Sequence, residues 1–187
     1  MFSFTKNDEQ DLLNIAHQSI EHGLQNGECL KVNEVEYPAV LQQPHGAFTT
    51  LKCNGALRGC KGSLEEALPL ISTVAYSAYS SAFNDIRFPP LQPVEFAQLK
   101  ISLSVLSPKV KLSFSSEEEL IEQIQPDMDG LVLEYNGQRG TLLPSVWKMI
   151  PDTREFLFTV KQKAGFDRDF WAEDLQAYRY TTHTIQD

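Results

Sequence analysis

The sequence predicts an α+β fold in which mostly antiparallel sheets are built from β-hairpins and carry packed helices. Three observations predict it. Asn54-Gly55 and Asn136-Gly137 each stand between two extended runs, the strongest short-range signal for a two-residue type I′ turn, since both of its central residues take positive φ. Stretches with apolar residues at helical spacing flank the hairpins. The segment from Leu175 to Ile185 is rich in Tyr and Thr and reads as a final strand.

The elements follow in order. Thr5 caps a first helix with Asp8 at the capping-box position, and Leu12, Leu13, Ala16, Ile20 and Leu24 form its apolar stripe up to Asn26-Gly27. Pro38 and Pro44 keep residues 28 to 46 irregular. After the first hairpin, Pro69 opens a helix with Ile71, Val74, Ala75, Ala78, Tyr79 and Ala82 inward. Ser72, Thr73, Ser77 and Ser80 fall on its other side. Phe88-Pro89-Pro90 makes a stiff loop, and Ile101, Leu103 and Val105 alternate in a half-buried strand over 98 to 107. Ser115 or Ser116 caps an acidic-fronted helix. The second hairpin leads to Pro144 and a short helical turn, then to a helix capped by Asp152 and closed by Gly165.

At 187 residues the chain can bury a core, most simply as one domain over 1–187. A formal charge of -9 argues against a nucleic-acid binder, which needs a basic surface to displace counterions. The longest uncharged stretch, 67 to 84, is too polar for lipid, and the acidic start has no basic, signal-like region. The expected setting is cytoplasmic, without membrane contact. Cys29, Cys53 and Cys60 lack disulfide or zinc spacing, no His or carboxylate pattern points to a metal, and no cofactor motif is present.

Phe48 to Ser63, F-T-T-L-K-C-N-G-A-L-R-G-C-K-G-S, concentrates the chemistry. With Asn54-Gly55 as the loop and no bulge, Leu51 faces Arg58 and Thr49 faces Cys60, so that Arg58 and Cys60 share a face and Lys61 looks away. A bulge at Gly59 or Gly62 would change that register. Arg139 of the second hairpin lies opposite Glu134 and pairs with it. Arg58 has no carboxylate in its own hairpin, so it must reach solvent, a ligand, or Asp85 or Glu95. Two roles stand level for it: a clamp on the Asp85 loop, or an anion partner in a binding site. A guanidinium near Cys60 would favour thiolate, as a nucleophilic or acid-base thiol requires, although a free cysteine beside glycines is more often a small buried hydrophobe. Gly59 and Gly62 allow a ligand to approach the chain's backbone closely or simply fit a bulge and a turn. The two hairpins, N-G-A-L-R-G-C and N-G-Q-R-G-T-L, read alike and point to a duplicated hairpin-plus-helix unit.

Five blocks in order resemble the AMMECR family: F48-T-T-L51, L57-R-G-C-K-G-S63, D85-I-R-F-P-P90 with Glu95 following, L143-P-S-V146 and K163-A-G165. Lys61 departs from the family's usual apolar residue after the cysteine. The resemblance implies two lobes with a cleft near the Arg-Gly-Cys segment, and Asp85, Arg87 and Glu95 as neighbours of Arg58. It also implies partners, a Memo-like protein and a radical-SAM protein, and no established reaction. Two readings follow. One is an accessory or binding component that presents a small-molecule or peptide ligand to such partners. The other is an enzyme with Cys60 as nucleophile, Arg58 as anion partner, and Asp85 or Glu95 as orienter.

Overall fold

The computed structural model describes residues 4–187 and has the predicted α+β architecture, with five helices and two four-stranded antiparallel sheets. The chain packs as two compact units, one running to Ser107 and including His183–Asp187, the other Pro108–Thr182.

In the first unit, helix α1 (Lys6–Asn26) begins with the full Thr5–Asp8 capping box and ends at Gly27 in the left-handed region. Residues 28 to 46 carry only a single 3-10 turn, Glu34–Glu36. Strands β1 (Ala47–Cys53) and β2 (Ala56–Ser63) form the hairpin, with Asn54 at φ 51° and Gly55 at φ 80° as a type I′ turn demands. Helix α2 (Leu70–Phe83), the one-turn helix α3 (Pro93–Phe96) and strand β3 (Leu99–Leu106) follow. The sheet order is β2-β1-β3-β8, where β8 is Thr182–Gln186. Asp187 fastens that last strand by accepting the Ile101 N–H at 2.8 Å.

Helix α2 is where the amphipathic reading needs correction. Its serine and threonine side is buried too: Thr73, Ser77, Ser80 and Ser81 are all inside. Period alone assigns hydroxyls to solvent, but α2 lies between α1 and the hairpin, so both of its sides face protein. Small hydroxyls suit that position because they allow close approach and find partners. Ser77 Oγ meets Thr49 Oγ1 at 2.6 Å, and Ser81 Oγ donates to Thr49 O at 2.8 Å. A Cβ on Gly59 would collide with Ser81 O, and one on Gly23 would strike the Tyr79 and Phe83 rings. Those two glycines set how closely α2 sits on each neighbour.

The second unit holds β4 (Val110–Lys111), α4 (Glu117–Gln123), β5 (Gly130–Tyr135), β6 (Gln138–Leu142), a 3-10 turn Pro144–Lys148, α5 (Thr153–Ala164) and β7 (Gln176–Tyr180), in sheet order β4-β7-β5-β6. Trp147 stacks on Phe156 with ring centroids 3.8 Å apart, and its Nε1 donates to Asp129 O. The core around them includes Leu131, Leu133, Leu157 and Val160. Lys161 is fully buried and pairs with Glu117.

With the one-turn α3, the two-residue β4 and the 3-10 turns set aside, element order repeats between the units: α1-β1-β2-α2-β3 in one, α4-β5-β6-α5-β7 in the other. In each, the third strand pairs antiparallel with the first strand of the hairpin. Gly140 lies under Val160 O of α5 as Gly59 lies under Ser81 O of α2. The predicted single final strand is two strands in different sheets, β7 and β8, separated at Thr181. Tyr-Thr richness signals extension but not which sheet an extended segment joins.

Candidate functional site

Strand β2 is an edge strand, and an edge exposes backbone groups that would template another strand. Here they are met by side chains. The Cys60 N–H donates to Asp85 Oδ2 at 2.8 Å, and Arg87 Nη2 donates to Cys60 O at 3.3 Å. Arg87 also grips Asp85 through Nε at 2.9 Å and Nη2 at 2.6 Å. The next residue is held as well, since the Lys61 N–H donates to Ser81 Oγ at 2.8 Å. Asp85 follows the C-cap of α2 and its carbonyl accepts from Phe88 N, so the loop turns back onto the strand.

The strand register carries a bulge. Leu51 pairs with Gly59 and Lys52 with Leu57, which leaves Arg58 as the extra residue. This corrects the unbulged reading: Cys60 lies opposite Thr50, Gly59 opposite Leu51, and Lys61 opposite Thr49. The consequence for Arg58 is large. Its Nε donates to Glu95 Oε1 at 2.6 Å and its Nη2 to Glu95 Oε2 at 3.0 Å, with a third bond from Nη2 to Pro89 O at 3.0 Å. Of the two carboxylates open to it in the sequence, Glu95 is its partner, and Asp85 serves Arg87. Glu95 is itself oriented by α3, whose Gln92 N–H it accepts at 2.8 Å. Phe88 lies within cation–π reach of both guanidiniums, 5.9 Å from Arg58 Cζ and 5.5 Å from Arg87 Cζ. Arg58 is 11% exposed, and its Nη1 is buried with no hydrogen-bond partner.

The second hairpin shows what the extra residue does. Asn136 and Arg139 are one position closer together than Asn54 and Arg58, and the ladder there runs without a bulge, placing Arg139 opposite Glu134. The expected ion pair forms, Nε to Oε1 at 3.1 Å. Arg139 thus serves its own hairpin, whereas Arg58, on the bulge and with no carboxylate in its hairpin, binds a segment 37 residues away.

Both acids are held ionised. The Arg87 hydrogen bonds keep the Asp85 carboxyl far below the usual carboxylate range, against the burial that raises it, with the Cys60 and Arg87 N–H groups assisting. Arg58 does the same for Glu95, again opposed by burial and assisted by the Gln92 N–H.

Asp85 and Arg87 thus hold the Cys60 backbone, while Arg58 and Glu95 form a second pair, from residue 58 of the same strand, that also takes in the Pro89 carbonyl. The Cys60 side chain takes a different direction, with its Sγ 3.3 Å from Thr50 Oγ1. Gly59 and Gly62 both stand against protein: a Cβ on Gly59 would meet Ser81 O, and one on Gly62 would meet Ala47 O and Phe48. Sequence reasoning missed Ser81, Thr50 and the Pro89 carbonyl. The serine run of α2 was a visible signal for Ser81, and a backbone carbonyl leaves none. Among the described residues no group of three or more His, Cys, Asp or Glu side chains gathers as a metal site, and no helix is long and apolar enough to cross a membrane.

Fold and site define a class: an α+β protein of repeated hairpin-and-helix units, with an Arg-Gly-Cys edge strand clipped by an Asp-x-Arg-Phe-Pro-Pro loop. The chain belongs to the AMMECR1 family, whose model matches residues 13–185. A protein of Methanothermobacter thermautotrophicus is 35% identical over 180 residues, covering 94% of this chain and 92% of that one. Protein MJ0810 of Methanocaldococcus jannaschii is 35% identical over 159 residues, covering 81% and 77%. The crystal structure of the uncharacterized protein PH0010 from Pyrococcus horikoshii is similar at a TM-score of 0.90 and 31% identity, covering 100% of this chain and 94% of that one.

Proposed function

We propose that this AMMECR1-family chain is an accessory, partner-binding component that acts with a Memo-like protein and a radical-SAM protein. The observation that carries the reading is how the charged groups of the site are used. Glu95 takes Arg58, and Asp85 takes Arg87 and the Cys60 N–H, so these groups act as a frame. What the frame presents is apolar. Ile86 lies between Asp85 and Arg87 and is 98% exposed; Val94 precedes Glu95 and is 77% exposed; Leu57 precedes Arg58 and is also exposed. Single exposed hydrophobes are ordinary on a surface, but each of these neighbours a residue of one of the two ion pairs, Leu57 in β2, Val94 in α3 and Ile86 on the loop that Pro89 and Pro90 stiffen. Rigid apolar groups on a preorganised loop favour association, because less side-chain and loop ordering is lost on binding.

The test is direct mixing of the purified chain with each purified partner, followed by analytical ultracentrifugation. A complex should form with at least one. Ile86→Asp and Val94→Asp should weaken it tenfold or more, on the scale of an interface anchor, with unchanged melting temperature. Absence of any complex at high micromolar concentration rejects the reading.

A further inference from the structure

We infer that Asn136 is a site of self-modification, where the Gly137 nitrogen displaces the side-chain amide as ammonia, and that Asn54, at the matching turn of the first hairpin, is protected from the same reaction. The two turns form a controlled pair. Both are exposed Asn-Gly loops, with φ of 48° and 78° in one and 51° and 80° in the other. Nothing stands within 4 Å of where a Cβ would lie on Gly55 or Gly137, so neither turn is shielded at its glycine.

The chemistry needs only the turn and water. Glycine lacks the Cβ that would crowd its nitrogen. Once base removes its proton, that nitrogen bonds to Asn136 Cγ; the Cγ–Nδ2 bond breaks, and ammonia leaves with a proton from water. One water then opens the succinimide ring, at the side-chain carbonyl to give aspartate or at the main-chain carbonyl to give isoaspartate. Ring closure requires the asparagine backbone to rotate out of the type I′ conformation, so each reaction starts with a local opening of the hairpin tip.

The two sites differ in what holds each tip shut. Asn54 Nδ2 donates to Gln98 Oε1 at 3.0 Å, so the leaving nitrogen is itself tied to the segment before β3. Cys53, just below that turn, pairs with Ala56 on one side and Leu99 on the other. The Asn136 side chain borders a surface pocket and has no hydrogen-bond partner among the described residues. Tyr135 pairs with Gln138 alone, because the β5–β7 ladder ends at Glu134. Its ring packs on Phe166 and Phe170, which fixes the strand and leaves the two loop residues as the part free to open.

The product changes its surroundings. Asn136 shares a pocket of about 370 Å³ with Glu134, Gln138, Arg139, Asp174 and Gln176. A carboxylate at residue 136 adds negative charge where Glu134 and Asp174 already stand, with Arg139 the one cation among the lining residues. Isoaspartate also adds a backbone atom to a two-residue loop, a length that type I′ geometry does not hold. This site belongs to the second unit and the loop proposed for partner binding to the first, so either reading can fail alone.

The experiment is a timed incubation of the full chain in mildly alkaline buffer, followed by digestion and peptide mass spectrometry. Chromatography separates the aspartate and isoaspartate peptides, and both products count as conversion. Asn136 should convert at least roughly fivefold faster than Asn54, the scale of one hydrogen bond broken on opening. Gln98→Ala, at an exposed position, should speed Asn54 severalfold and leave Asn136 unchanged, with the folded spectrum kept. Overturning results are equal rates at the two sites, faster conversion at Asn54, or a Gln98→Ala chain in which Asn54 reacts no faster. Absence of conversion at Asn136, while an unfolded peptide of residues 131–142 converts, overturns it as well.

Discussion

Arg58 grips both carboxylate oxygens of Glu95, with Nε and Nη2 donating at 2.6 and 3.0 Å. This fork ties the hairpin to α3, and only a guanidinium presents two parallel donors in that geometry. Glu95→Ala should strand a nearly buried cation and lower stability by about 3 kcal/mol, read as a fall in the denaturation midpoint. Arg58→Lys keeps the charge but loses the fork, and should recover less than half of that.

Acid should loosen the same region. Asp85 and Glu95 both titrate lower in the folded chain than their unfolded values of roughly 3.9 and 4.3. A depressed carboxylate contributes stability that is complete above its unfolded pKa and lost as pH falls through the folded one. Unfolding free energy should therefore hold level down to about pH 5 and drop below it. Asp85→Asn should be less stable at neutral pH and show a shallower acid loss, measured by urea titration across the pH range.

The glycine pair offers a test of the repeated architecture. Gly59→Ala and Gly140→Ala each force a methyl onto a helix carbonyl, Ser81 O and Val160 O. Each should cost about 3 kcal/mol, at the upper end of overpacking. Gly55 has positive φ and nothing near its open side, so Gly55→Ala should cost only about 1 kcal/mol. Thermal unfolding of the three variants compares them.

What the sequence made legible was local. Both Asn-Gly turns, the Thr5, Ser116 and Asp152 caps and the Gly27 and Gly165 stops depend on a few adjacent residues, and all stand where expected. The AMMECR resemblance was legible in its five blocks and brought Asp85, Arg87 and Glu95 to the right neighbourhood. The register of β2 was not legible. A one-residue slip changes every facing, and the bulge at Arg58 comes with bonds from the Cys60 and Lys61 N–H groups to Asp85 and Ser81, which are distant in sequence. The burial of α2's serines was hidden for a related reason: a helix packed on two sides has no solvent side for its polar residues to mark.

Cys60 contributes mainly through its backbone. Its N–H and C=O hold Asp85 and Arg87, while its thiol meets only the Thr50 hydroxyl among the polar contacts named above. Cys60→Ala should change stability by less than about 1 kcal/mol, the scale of losing one small sulfur contact, and leave partner affinity intact in the ultracentrifuge.

Ser80→Ala should leave stability equal or raise it by about 1 kcal/mol, because it removes a buried hydroxyl that no protein group satisfies. Scanning calorimetry reads it.

The clip that Asp85 and Arg87 place on Cys60 also decides how another molecule can approach this side of the sheet. With N–H and C=O both occupied, β2 offers no ladder for an incoming peptide to extend at that point. On the partner-binding reading proposed above, recognition there would be written in side-chain shape, and selectivity would follow the identity of projecting residues such as Ile86 more closely than any backbone pattern.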